Sequence, residues 1–180
     1  LREHDRVRFL ISQATSIQSA VADLLVRAES QINNERLMAQ GDDSAAQLLL
    51  QVLATDPDNE RATQGLQQIT ATVMAQTQQM LNQGEIGSAQ AMLDLAETEG
   101  LNATPIASMR EVIDSEITRQ RQIAVGLEQA SVLFDQGFIT APEPNNAVAL
   151  LRDVLRLDPS NEQADMQLRQ CANRLAEVAL

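Results

Sequence analysis

The sequence predicts an all-α protein in which about three helical hairpins follow one another and one further helix closes the series, about seven helices in all. Three observations carry that expectation. Phe9, Phe134 and Phe138 are the only aromatics, so the core must be built from Leu, Ile, Val, Met and Ala, and Ala, Leu and Gln all favour helix. Seven Gly and five Pro are too few for a turn-rich all-β chain. The phrase VLATDPDNERA at 52–62 returns as VLRLDPSNEQA at 154–164, which marks a repeated unit.

The first helix is expected over 6–40. Val7, Leu10, Ala14, Ile17, Val21, Leu24 and Ala28 alternate spacings of three and four, the heptad seam along which helices pack. The seam's partner is either the second helix of this chain or another copy of the protein. Gly41 is the expected stop, because Gly adopts left-handed geometry cheaply. Asp42, Asp43 or Ser44 can then cap a second helix over 44–54, with Ala45, Leu48, Leu49, Val52 and Leu53 on one side. Pro57 ends it, since the residue before a proline avoids helical geometry.

Asp58 or Asn59 caps a third helix over 60–83, stopped by Gly84, and a fourth is expected over 86–98. Gly100, Asn102 and Pro105 make the next break, with Pro105 suited to a first helical turn. A long fifth helix spans 104–136 with Ile106, Met109, Val112, Ile113, Ile117, Ile123, Leu127, Ala130 and Phe134 as its apolar set, and ends at Gly137. After the irregular FITAPEPNN, a sixth helix covers 146–157, Pro159 breaks it, and the last runs over 161–179.

Each hairpin carries Gly, then Ala, then an aliphatic run, then Asp-Pro or a degenerate turn: Gly41/Ala45/Leu49/Asp56-Pro57, Gly84/Ala89/Leu93/Gly100 and Gly137/Ala147/Leu151/Asp158-Pro159. Small alanines let paired helices approach, and leucines fill the layer between hairpins. These marks resemble the tetratricopeptide repeat (TPR), a hairpin unit of about 34 residues. GEIGSAQAMLDLA at 84–96 is similar to that family's Gly-x-aromatic-x-x-Ala pattern with Ile86 in the aromatic place, and AVALLRDVLRLDPSNEQA at 147–164 is similar to its second half and following turn. The family's usual Trp and Tyr places are aliphatic or polar here, and Ala45, Ala89 and Ala147 lie 44 and 58 residues apart. The offset of 102 between the two phrases equals three ideal units, yet only one unit intervenes, so it reads as coincidence.

The resemblance covers about 20–180 and implies one right-handed array over 1–180: a long helix over 1–40, turns and second helices over 41–58, 84–103 and 137–160, and a closing helix over 161–180. It also implies a concave groove lined by the first helices of the hairpins, at Met74, Gln78, Asn82, Leu127, Ser131 and Asp135. Gly137, Ile139, Pro142 or Pro144, Asn146, Ala147 and Asp158-Pro159 are similar to TPR segments of bacterial envelope proteins. That likeness implies the periplasmic part of an inner-membrane protein, with the cytoplasm as the alternative.

The formal charge of −12 argues against a nucleic-acid partner, whose phosphates require clustered cations. All 13 cations are Arg and scattered, and none lies between Arg61 and Arg110, where Glu85, Asp94, Glu97 and Glu99 predict an acidic middle. No signal peptide is visible, and no apolar run approaches the roughly 18 residues of a spanning helix. The chain begins on Leu and is helical almost at once, so it reads as a piece of a longer protein, with any membrane anchor outside it.

No catalytic, metal or cofactor constellation is expected. His4 reads as an exposed residue and Cys171, beside Leu168, Ala172 and Leu175, as a buried small hydrophobe. One His and one Cys cannot assemble a zinc site or a Cys/His pair. The carboxylates of ETE at 97–99 and GDD at 41–43 read as caps and helix-dipole partners, and DPDNE lacks the ligand spacing of a calcium loop. Met74, Met80 and Met92 read as core filling. The leading expectation is a non-catalytic module that binds a protein or peptide. The alternatives are self-association through the seam at Val7, Leu10, Ala14, Ile17, Val21 and Leu24, and, more weakly, a small-ligand sensor.

Overall fold

A computed structural model describes residues 2–38 and 43–178. It is all-helical: α1 (Arg2–Asn33), α2 (Ala45–Thr55), α3 (Glu60–Asn82), α4 (Ile86–Thr98), α5 (Ala103–Asp135), α6 (Ala147–Leu157) and α7 (Glu162–Val178), with no strand among the described residues. Packing is between consecutive helices, α1 on α2, α2 on α3, α3 on α4 and α6 on α7. Where the sequence reads as one domain, the chain forms two compact units, one ending at Ile113 and the other beginning at Asp114, divided within α5.

The first unit buries Val21, Leu25, Ala28, Leu48, Leu49, Val52, Ile69, Val73, Leu93, Ile106 and Ile113. In the second, Leu127, Ala130, Ile139, Ala147, Leu151, Val154, Ala164 and Cys171 form one apolar cluster. Small residues sit where helices come closest. A Cβ on Gly126 would lie 2.7 Å from Val154 Cγ2, nearer than side chains tolerate.

One device ends four of the helices. After α3, α4 and α5 a glycine in left-handed geometry (Gly84, Gly100, Gly137) donates its N–H to the carbonyl three residues back, and the next residue donates to the carbonyl five back. α1 ends in the same way, but on Glu35, at φ 59°, with Glu35 N donating to Ile32 O and Arg36 N to Gln31 O. This corrects the expected helix over 6–40. It begins by Arg2 and stops at Asn33, because a non-glycine residue takes the left-handed place. Gly41 and Asp42 lie outside the described residues. The α2 cap falls to Ser44, whose Oγ accepts from Gln47 N at 3.1 Å, and the α3 cap to Asn59, whose Oδ1 accepts from Ala62 N at 3.0 Å.

The offset of 102 between the two phrases is kept residue for residue in the structure. Ala45 N and Ala46 N donate to Arg36 O and Leu37 O; Ala147 N and Val148 N donate to Phe138 O and Ile139 O. Asp56 Oδ2 accepts from Asn59 Nδ2 at 2.9 Å and Asp158 Oδ2 from Asn161 Nδ2 at 3.0 Å. Buried Leu25, Ala28, Ala45, Leu49, Val52, Ala62 and Ile69 answer to buried Leu127, Ala130, Ala147, Leu151, Val154, Ala164 and Cys171. The α1–α2–α3 segment and the α5–α6–α7 segment are thus two copies of one build, in which equal loop lengths preserve the register, and α4 stands between them.

The two halves of α1 differ. Val21, Leu25 and Ala28 pack inward, whereas every residue over 3–20 is exposed. Among the described residues α1 is long and apolar enough to cross a membrane by length and composition, with an 18-residue window of mean hydropathy 1.3. The sequence reading missed this because polar side chains interrupt every apolar run.

Candidate functional site

Thr63, Leu66, Gln67, Thr70, Ala71 and Met74 recur on α3 at helical spacing and so share one face. With Leu53 from the end of α2 and the 100–105 junction before and at the start of α5, they line an open cleft of about 420 Å³. Its apolar lining is Leu53, Leu66, Ala71, Met74, Leu101 and Pro105. The junction is held from both sides. Gly100 and Leu101 complete the end of α4, and Asn102 Oδ1 accepts from Thr104 N at 3.0 Å to start α5. The Thr70 hydroxyl donates to Leu66 O at 2.8 Å, so it is satisfied within α3. No cation lines the cleft.

Of the six expected groove residues, Met74 is half-buried in this cleft. Gln78 and Asn82 lie one and two turns further along α3, exposed, with Gln78 Nε2 donating to Asn82 Oδ1 at 3.2 Å. The other three belong to the second unit. Leu127 and Ser131 line a depression of about 480 Å³ with Ala124, Glu128, Val132, Gln163 and Gln167. Leu127 is 8% exposed and is largely a core residue, the sister of Leu25. Asp135 is exposed outside that depression. The structure adds Leu53, Leu66 and Leu101, which spacing alone did not single out because their cleft joins three separate segments.

The seam divides along α1: Val21 is buried, Leu24 half-buried, and Val7, Leu10, Ala14 and Ile17 are exposed. A groove of about 520 Å³ runs past Ala14, Ile17, Gln18, Val21 and Leu25 to Thr55, Asp56 and Arg61. Ionic contacts fasten elements at the surface. Arg110 Nη2 donates to Asp94 Oδ1 and Glu97 Oε2 at 2.7 Å each, joining α5 to α4. Arg119 donates to both Glu116 oxygens, at 2.8 and 2.7 Å, and to Leu157 O at 3.1 Å, joining α5 to the end of α6. That pairing holds the Glu116 carboxyl below the usual carboxylate range. The Asn161 and Ser160 hydrogen bonds do the same for Asp158.

Buried Glu99 accepts a hydrogen bond from the Ser44 hydroxyl through Oε2 at 2.6 Å, tying the start of α2 to the end of α4. Burial pushes the Cys171 thiol up, away from thiolate. Met80 and Met92 are half-buried, His4 is exposed, and among the described residues no three His, Cys, Asp or Glu side chains gather as metal ligands. Comparison with protein-family models, with curated proteins and with solved structures finds no match for this chain.

Proposed function

We propose that the chain is an irregular TPR-like scaffold, without a catalytic role, in a larger bacterial envelope-associated protein, and that it holds a protein or peptide partner on α3. The cleft of about 420 Å³ carries this reading: it is open, and its lining is mostly apolar with the neutral polar Thr63, Gln67, Thr70 and Asn102. That volume lies in the usual range for ligand sites, and apolar anchors seated in such pockets dominate most docking energies. The chain's formal charge of −12 chooses the partner's charge: Glu85 is exposed just before α4, while Asp94 and Glu97 are already paired with Arg110. The partner is therefore an amphipathic segment with Leu, Ile or Met anchors and basic flanks, and nucleic acid is disfavoured. The periplasmic side of an inner membrane remains the proposed location, on the likeness of the 137–159 segment.

Selection of displayed peptides on the 180-residue chain tests the reading. Binders should carry apolar anchors with Lys or Arg beside them. Met74→Glu should weaken them at least tenfold, because it puts an unpaired charge in a mostly apolar lining. Binders indifferent to Met74→Glu would remove the cleft from the account.

A further inference from the structure

The two copies of the repeated build differ at the end of their second helices. In the second unit Glu116 and Arg119 of α5 reach the end of α6, where Arg119 donates to Leu157 O and lies near the Asp158 carboxylate. Counting back 102 residues, those positions are Ala14, Ile17, Thr55 and Asp56, all of which line the open groove beside α1. Where one copy closes this corner with an arginine of its own first helix, the other has Ala14 and Ile17 there, and the Arg61 that lines the groove is paired with Glu29, leaving Asp56 without an arginine partner from α1. Further toward the start of α1, Ile11 is 60% exposed.

The bare part of α1 repeats itself in reverse. Val7, Leu10, Ala14, Ile17 and Val21 read almost the same from either end about Ala14, and a small residue at that centre permits close approach. Arg6 flanks the stripe near one end, and the groove with Asp56 lies at the other. We propose that two copies of this chain pair through their α1 helices, antiparallel about Ala14. Val7 of each lies against Val21 of the other, and Arg6 of each enters the other's groove toward Asp56. The second copy thus supplies in trans the arginine that Arg119 supplies in cis within the second unit. The contact is isologous, as two-fold dimers require.

A specific dimer buries about 1,200 Å² or more in total, which the α1 stripe and the adjoining groove supply together. A lipid surface fits the same stripe less well. Glu3, Asp5 and Asp23 interrupt α1, and a net charge of −12 is repelled by anionic headgroups.

Sedimentation equilibrium of the chain at about 1–100 μM, which detects dissociation constants of that order, should show an approach to about twice the 19.7 kDa monomer mass. Ile17→Glu, an exposed substitution that leaves helical circular dichroism unchanged, should return it to monomer, and Arg6→Glu should weaken the dimer about threefold. With Cys171 replaced by Ala, Ala14→Cys should oxidise to a cross-linked dimer and Val7→Cys should not. Efficient Val7→Cys cross-linking would overturn the antiparallel register. A monomer at every concentration, or one that co-sediments with phosphatidylcholine–phosphatidylglycerol vesicles through α1, would overturn the dimer itself.

Discussion

Glu35 occupies a left-handed backbone place that Gly84, Gly100 and Gly137 occupy at three other helix ends. A side chain there costs about 1–2 kcal/mol, against about 0.5–1 kcal/mol of extra unfolded-state entropy for glycine. Glu35→Gly should therefore raise unfolding stability by about 0.5–1 kcal/mol, measured by urea denaturation with an unchanged m-value. A loss of stability would mean that Glu35 holds more than a turn. Nothing in the residue type announces this stop. The Gly41 signal was visible and Glu35 was not, because the left-handed geometry there is imposed by the turn into α2, which pairs Arg36 O and Leu37 O with Ala45 N and Ala46 N.

At the scale of the helices, caps and apolar spacing were legible. The expected spans of α2 to α7 agree with those observed to within a residue or so, since Ser44, Asn59, Asn146 and the glycines act locally. The long-range fastenings were not legible, because spacing along one helix does not show which side chain reaches another. Arg119 is the clearest case, clasping Glu116 on its own helix and the last carbonyl of α6. Glu116 and Asp158 are both held below their ordinary values of 4.5 and 3.8, so the folded state binds fewer protons than the unfolded one. Their contribution is fully present above about pH 4.5 and is lost as pH falls through the lower folded-state values. Melting temperature followed from pH 7 to pH 3 should drop on that acid limb, and Arg119→Leu should make the drop shallower. An acid limb unchanged by Arg119→Leu would show that the clasp does not set it.

For the whole molecule, the repeated phrase proved to be more than a motif. It belongs to a segment of α1, α2 and α3 whose turns, caps and buried positions recur in α5, α6 and α7 at a constant offset, with α4 between the copies. Seven identities within eleven residues were enough to show that a unit repeats. They were not enough to show that α5 carries the division between two compact units, because its apolar spacing continues across Ile113 and Asp114. The expected groove was legible in part. Met74 faces a cleft, whereas Leu127 is needed in its own core, and helical periodicity cannot distinguish a face turned to a groove from one turned inward.

Six methionines spread over the chain offer a direct test, since Met74 lines the cleft and Met166 is exposed on α7 of the other unit. With ¹³C-methyl methionine and a selected basic, amphipathic peptide, the docking account predicts that the Met74 signal shifts on titration while Met166 stays in place. A Met74 signal that does not move while the peptide binds and other methionines respond would contradict it.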